Sequence, residues 1–393
     1  MSSSSLRIIV TGYIAQYPLG GMTWHYFHYV LGLMRLGHDV YYIEDTGQWP
    51  YDPVEDGITK TCEDNVRYLQ ELMEQYGLED RWAYRFVWKE RWFGMADERR
   101  EDVIRTADLV INVSGTLERP GEYRHRARLA YVDTDPVFTQ VKLAKGHDYL
   151  RGLVDQHDVL FSFGESPGDD TPDTEDQWNP TRQPIALDIW RPSEPHRDVY
   201  TTVMTWKAFK PIVFEGKKFG QKDVEFERFV DLPEHIRPAT IEVAANAGRG
   251  RRLPRQDLID KGWRLVEPRE ACPDHEAYRR YIEGSKGEWS VAKNAYVVGQ
   301  AAWFSCRSAC YLAAGRPVIL QETGFSKVLP TGKGLFAYRT LEEAAEAIRT
   351  VEADYPTHAA AARAIAEEYF DGRTVLARVI DVAMNPHPEV CHG

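Results

Sequence analysis

The chain has 393 residues, 43% of them apolar and 27% charged, with a formal charge of −12 at pH 7. That length suits two or three globular domains, and the negative balance disfavours non-specific binding to nucleic acid or anionic membranes, since the overall field repels both. No apolar run approaches the ~18 residues that would span a bilayer, no apolar segment follows the serine run at Met1–Leu6 as a leader would require, and five cysteines without metal-ligand spacing suit reduced thiols in a cytoplasmic protein.

The first half reads as an open α/β sheet. Arg7–Val10 is a short apolar strand, followed by a loop from Thr11 to Gly21. Phe27, Val30, Leu31 and Met34 then recur at helical spacing, and Gly37 closes that helix where a left-handed residue is cheap. Val40–Ile43 is the next strand and ends on Glu44 and Asp45. Leu109–Ile111, Leu129–Val132 and Val159–Phe161 continue the series. Their unbroken apolar character suits parallel strands buried on both faces. Gly164–Arg182 is acidic and proline-rich, the composition of a surface loop or linker, and Pro184–Pro192 leads out of the first domain.

A second α/β series begins at Thr201–Met204 and continues through Ile241–Val243, Trp263–Val266 and Val318–Leu320. Val375, Leu376, Val379, Ile380 and Val382 mark a terminal amphipathic helix. The expected division is residues 1–190, residues 191–372 and a returning helix within 373–393. Two such halves leave a cleft between them, where ligands of α/β proteins sit.

The stretch Gly287–Leu335 carries the chemistry. Ser305 at the N-cap and Gly315 just past the end define a short helix over Cys306–Ala314. Its N-terminus offers unsatisfied N–H groups and partial positive charge, which a diphosphate requires. Arg307 in the first turn adds a bidentate cation, and Ser308 follows it. On dipole grounds alone an arginine is unfavourable there, so an anion nearby would resolve the conflict. Gly315-Arg316-Pro317 then turns the chain into Val318–Leu320, which ends in Gln321-Glu322-Thr323-Gly324-Phe325. A carboxylate at a strand's C-terminal end faces the ligand crevice, so Glu322 is placed to accept from sugar or ribose hydroxyls. Thr323 and the amides of Gly324 and Phe325 would add contacts.

The run from Trp303 to Leu335 resembles the donor-binding part of GT-B glycosyltransferases, where a small-residue helix, an AAGxP-like turn and a strand-end acid grip a nucleotide-sugar. GGMTWHYFHYVLGLMRLGHDVYYIEDTG, more loosely, resembles the acceptor side of that fold. The resemblance implies two Rossmann-like domains facing across a cleft, with the terminal helix crossing back to the first. It implies transfer of a sugar from a nucleotide diphosphate to a hydroxyl of a small-molecule or glycan acceptor. No metal is needed if Arg307 and the helix N-terminus stabilise the leaving diphosphate. Further donor contacts are expected from Lys207, which follows Thr201–Met204, and from Ser290 and Lys293. Gly20, Gly21 and Trp24 are the acceptor-side expectation. The strand-end QETGF differs from the acid-glutamine pair of plant-type relatives and leaves the sugar open.

For the proton, His25 in the first turn of its helix has a pKa lowered by the dipole and suits a neutral base. A packing role among Trp24, Tyr26 and His28 is its bland alternative. Asp133 would serve an inverting reaction, whereas retention needs no base. Asp133-Thr134-Asp135 also matches the way metal-dependent glycosyltransferases hold Mn²⁺ or Mg²⁺, the one reading that calls for a cofactor. Two basic clusters, Arg124–Arg128 and Arg249–Arg252, lack interleaved aromatics and read as solvated faces. Rival functions are a nucleotide-sugar epimerase of the same fold, a non-catalytic sugar-nucleotide binder, and sugar transfer to modified DNA bases, the last opposed by the net charge.

Overall fold

The computed structural model describes residues 5–248 and 253–385; the basic cluster at 249–252 lies outside the described residues. The first sheet comprises β1 (Arg7–Thr11), β2 (Asp39–Glu44), β3 (Trp82–Phe86), β4 (Arg91–Gly94), β5 (Leu109–Val113), β6 (Arg128–Asp133), β7 (Val159–Ser162) and β8 (Trp178–Pro180). Their spatial order is β8-β7-β6-β5-β1-β2-β3-β4, parallel throughout except for the β3–β4 edge pair. The second sheet comprises β9 (Tyr200–Thr205), β10 (Ile241–Asn246), β11 (Arg264–Val266), β12 (Gly287–Ser290), β13 (Val318–Gln321) and β14 (Leu335–Tyr338). It is wholly parallel, in the order β11-β10-β9-β12-β13-β14.

Both sheets start in the middle, run outward one way and then reverse. The reversal separates the loops after β1 and β5, and after β9 and β12, so that each pair leaves a crevice at the C-terminal ends of the strands. β12 is fully buried although it carries Glu288 and Ser290. That polar content hid it from an apolar-run reading, and the aromatic-rich β3 and β4, with Arg85 and Arg91, were hidden for the same reason.

One helix joins the halves. α1 (Gly20–Arg35) is buried over most of its length and packs against α3 (His275–Gly284), α5 (Cys306–Ala313) and α7 (Gly372–Met384). Gly37 ends it at φ 86°, with the His38 amide returning to the Leu33 carbonyl at 3.3 Å, as a left-handed cap does. Two other glycines set the distances between helices. A Cβ on Gly20 would lie 2.4 Å from Tyr278 Cβ, and one on Gly32 would lie 2.5 Å from Leu376 Cδ1.

This placement revises two expectations. Gly20 and Gly21 face the Tyr278 ring of α3, and Trp24, only 1% exposed, donates Nε1–H to the His275 carbonyl at 2.8 Å. Gly20 and Trp24 are buried packing residues between the halves, and Gly21 is half-buried against the same ring. The acidic stretch 164–182 contains the edge strand β8 and docks on the second half: Thr171 donates to the Gly299 carbonyl at 2.9 Å, and Gly168 admits the Gly299 and Gln300 carbonyls too closely for any Cβ. Among the described residues, no helix is long and apolar enough to cross a membrane.

Gly20→Val forces a branched side chain into the α1–α3 contact. Overpacking of this kind costs about 1–3 kcal/mol, and urea denaturation should show that loss in unfolding free energy with both halves affected together.

Candidate active site in the interdomain cleft

In the second half, the crevice between β9 and β12 is spanned by Arg307. Its Nε donates to Glu288 Oε1 at 2.5 Å, Nη1 to the Val203 carbonyl at 2.8 Å and Nη2 to Ser290 Oγ at 2.6 Å. The anion that resolves the dipole conflict is therefore supplied by the protein, as Glu288 on the neighbouring strand. Glu288 is fully buried and its Oε2 has no hydrogen-bond partner among the described residues. Burial opposes the charge on Arg307, and the Glu288 carboxylate more than restores it, so the guanidinium pKa is raised. Two of the five guanidinium N–H donors stay uncommitted. Ser305 occupies the N-cap position of α5 but makes no capping bond. The first return bond of the helix is from Ala309 to the Ser305 carbonyl, at 3.0 Å. The amides ahead of it, of Cys306, Arg307 and Ser308, have no partner four residues back within the helix.

Two lysines flank this point. Lys222 opens a short helix (Lys222–Phe226) that Glu225 ties to Asn294 at 2.7 Å and to Gln321. Half-buried, Lys222 has no hydrogen-bond or ion-pair partner among the described residues. Burial, followed by Arg307 and Lys293, pushes its ammonium well below the ordinary value. Nothing in the stretch around Lys222 distinguishes it in sequence from Lys217 or Lys218, which point into different surroundings on the preceding hairpin. Lys293, just before α4 (Asn294–Gly299), crosses the cleft to Asp135 of the first half at 2.6 Å. Tyr296 donates to the same Asp135 oxygen. Desolvation raises the Asp135 pKa, but Lys293 and Tyr296 outweigh it and hold the carboxyl below its usual range. Asp135 keeps 56% of its side chain exposed while touching both halves, which marks the cleft as open to solvent there.

His25 sits on the first-half side of α1. Gln183 donates its amide to the carbonyls of His25 and Pro184, both at 3.0 Å. Its Oε1 must then accept the 2.7 Å bond from His25 Nδ1, which leaves the lone pair on Nε2. Burial lowers the imidazole pKa to about 4 against the opposing effect of Gln183. Asp133 is buried, and its oxygens accept from Thr139 at 2.7 Å, Gln140 at 3.2 Å, Ser162 at 3.1 Å and the Asp135 amide at 3.1 Å. Burial pushes its carboxyl up to about 6. It organises the turn after β6. With Asp133 enclosed and Asp135 held by Lys293 and Tyr296, the two carboxylates do not present a joint chelating face.

The remaining expected residues divide between core and edge. Lys207 pairs with Asp223 at 3.1 Å. Ser308 and Phe325 are fully enclosed, and Phe325 packs on Phe304. Thr323 donates to the Trp303 carbonyl. Gly324, at φ 93°, admits the Gln300 carbonyl within 2.5 Å of where a Cβ would be. Glu322 is 1% exposed and its Oε1 caps the Gly324 amide at 2.5 Å, with Arg339 3.5 Å from Oε2. The strand-end acid thus braces its own turn. Of the expected donor set, Ser290, Lys293 and Arg307 come together, and Lys222 joins them.

This architecture is the GT-B fold. No family model and no curated protein matches the sequence, so the likeness is one of structure. Anabaena HepE in complex with UDP-glucose superposes with a TM-score of 0.55 at 12% identity, over 96% of this chain and 99% of that one. An alpha-glucosyltransferase in complex with UDP and a 13-mer DNA gives 0.58 at 12% identity, over 97% and 100%. Sucrose-phosphate synthase from Thermosynechococcus elongatus gives 0.54 at 11%, over 96% and 98%.

Two outcomes follow from this geometry. Arg307→Ala strands a buried carboxylate, a change that costs about 3–5 kcal/mol; urea denaturation should show that loss even without ligand. His25 should remain neutral in ¹H–¹³C spectra down to about pH 5 and titrate near 4. Because the unfolded chain takes up that proton near ~6.5, the His25 contribution to stability is complete above that value and declines as pH falls toward 4.

Proposed function

We propose that this protein transfers a sugar from a nucleotide diphosphate sugar, with UDP as the nucleotide, to a hydroxyl acceptor without using a metal ion. The observation that carries the reading is Lys222. It has no hydrogen-bond or ion-pair partner among the described residues, and burial with the repulsion of Arg307 and Lys293 outweighs the opposing attraction of Glu288. Two cations and a helix N-terminus around one such ammonium form a cluster that an anion would neutralise, and a diphosphate has the charge and the acceptor oxygens for it. UDP and UDP-glucose, bound in the complexes of similar fold, support the choice of nucleotide.

In this reading the donor diphosphate lies against the α5 N-terminus, with Lys222 and the free donors of Arg307 on its oxygens. Lys293 exchanges Asp135 for the phosphate as the donor enters. As the glycosidic bond breaks, negative charge grows on the leaving diphosphate, and these fixed cations stabilise it. Buried Glu288 keeps Arg307 in place throughout. His25 Nε2 is the lone pair available to take the acceptor's proton. A cation bound by Asp133 and Asp135 has no part in this scheme.

Calorimetric titration with UDP in EDTA-containing buffer tests the reading. Wild-type protein should bind, and Lys222→Ala should weaken binding by about 1.5–3 kcal/mol, the range for a charged hydrogen bond, with an unchanged melting temperature. Release of UDP from UDP-sugars should survive chelation. Equal affinity in wild type and variant would take Lys222 out of the site, and activity that Mn²⁺ alone restores would reinstate the carboxylate pair. Turnover to an epimer without acceptor, or binding without donor breakdown, would favour the two non-transferase readings.

A further inference from the structure

Three neighbouring strands of the first sheet deliver aromatic side chains from their C-terminal ends. Tyr13 and Tyr17 follow β1, Trp49 and Tyr51 follow β2, and Trp88 follows β3. Ring centroids are 5.7 Å apart for Tyr13 and Tyr17, 5.6 Å for Tyr17 and Tyr51, and 5.4 Å for Trp49 and Trp88. The loops that carry them are joined: the Tyr51 amide donates to the Gln16 carbonyl at 2.9 Å, and the Gln16 side chain donates to the Trp49 carbonyl. Glu44 at the end of β2 fixes the first loop by accepting from the Ala15 and Gln16 amides. Trp88 is 55% exposed, and the other four are half-buried.

The inner end of this row is linked to His25 through the buried Tyr26 ring. Tyr13 meets the Tyr26 ring at 6.0 Å, and Tyr26 meets the His25 imidazole at 4.6 Å. Polar groups accompany the rings, with Gln48 donating to the Tyr13 hydroxyl at 3.1 Å. The hairpin after Tyr51 exposes Glu55 and Asp56, both acidic. Half-buried rings gathered at the ends of three neighbouring strands, with Trp88 open to solvent beside them, make an aromatic surface of the kind that receives a ligand. Flat apolar faces alternating with hydroxyl and amide groups match the C–H faces and hydroxyl edges of pyranose rings. Arg269, which donates to the Val54 carbonyl, offsets these acids, so the ground beside the rings carries mixed charge and suits a neutral chain.

We propose that this aromatic row is the acceptor subsite and that the acceptor is a neutral oligosaccharide, its rings stacked along Tyr13, Tyr17, Trp49, Tyr51 and Trp88 with the reacting hydroxyl at His25. The proposal rests on the transferase reading above, and it narrows the acceptor to one chemical class.

Calorimetric titration of the full chain with maltohexaose, cellohexaose and chitohexaose, alongside UDP, tests it. At least one hexasaccharide should bind wild-type protein. Trp88→Ala and Tyr17→Ala should each weaken that binding by roughly five- to tenfold, the value of a lost ring contact, while leaving UDP affinity and melting temperature unchanged. Trp88 is exposed enough that its removal leaves the core intact. Failure of all three hexasaccharides to bind, or binding by both variants equal to wild type, would overturn the proposal. If UDP binds and the oligosaccharides do not, only the acceptor assignment falls. If oligosaccharides bind in this pattern and UDP does not, the aromatic row stands as a glycan site and the transferase reading falls.

Discussion

The contact between Arg307 and Glu288 is the constraint on which the second half is arranged. A guanidinium enclosed among strands would be prohibitively unstable alone, and a carboxylate on β12 would be too. Together they lock the start of α5 to β9 and β12 through three bonds at 2.5–2.8 Å. That lock fixes where the α5 amides begin. Glu288 is hydrogen-bonded to Arg307, Lys293 is paired across the cleft with Asp135, and Lys222 has no hydrogen-bond or ion-pair partner among the described residues. The buried pair therefore cannot be altered without disturbing the start of α5 and the two strands it holds.

Most of the scaffold was legible because parallel strands covered on both faces declare themselves as apolar runs. β1, β2, β5, β6, β7, β9, β11 and β13 were each found that way, within a residue or two of their ends, and β10 was found three residues short of its end at Asn246. Several strands that escaped hold polar groups at interior positions, whereas β14, Leu-Phe-Ala-Tyr, escaped although it is apolar. β12 has the sequence Gly-Glu-Trp-Ser and is buried completely; its glutamate is tolerable only through Arg307, which lies 19 residues further on and is joined to it by tertiary structure alone. β8 was lost inside an acidic stretch whose composition suggested a free linker, although it pairs with β7 and its flanks dock on the second half.

The site was legible in outline and not in detail. An arginine at a helix start called for an anion, and that inference was sound; the sequence had no means of saying that the first such anion is a neighbouring strand's glutamate. Glu322 illustrates the opposite case. A strand-end carboxylate next to a glycine has two uses, facing a ligand or bracing the turn, and only the 2.5 Å bond to the Gly324 amide distinguishes them. Lys222 lay in a lysine-rich segment where no local pattern separates a buried ammonium from a solvated one. The histidine's tautomer likewise depends on Gln183, 158 residues away.

The setting of α1 has a consequence for how a chain of this shape can change. Wedged among three helices, with Gly20 and Gly32 leaving no room for even a methyl group, it can accept few new side chains without separating the two halves. The loops after β1, β2 and β3 are less restricted beyond Gly12 and Gly47, since Trp88 and the acidic hairpin at Glu55 and Asp56 lie open to solvent. New side chains on this scaffold would therefore be accommodated at the strand ends while the central helix stays fixed, so that change at the surface and permanence of the helical packing are assigned to separate parts of one molecule.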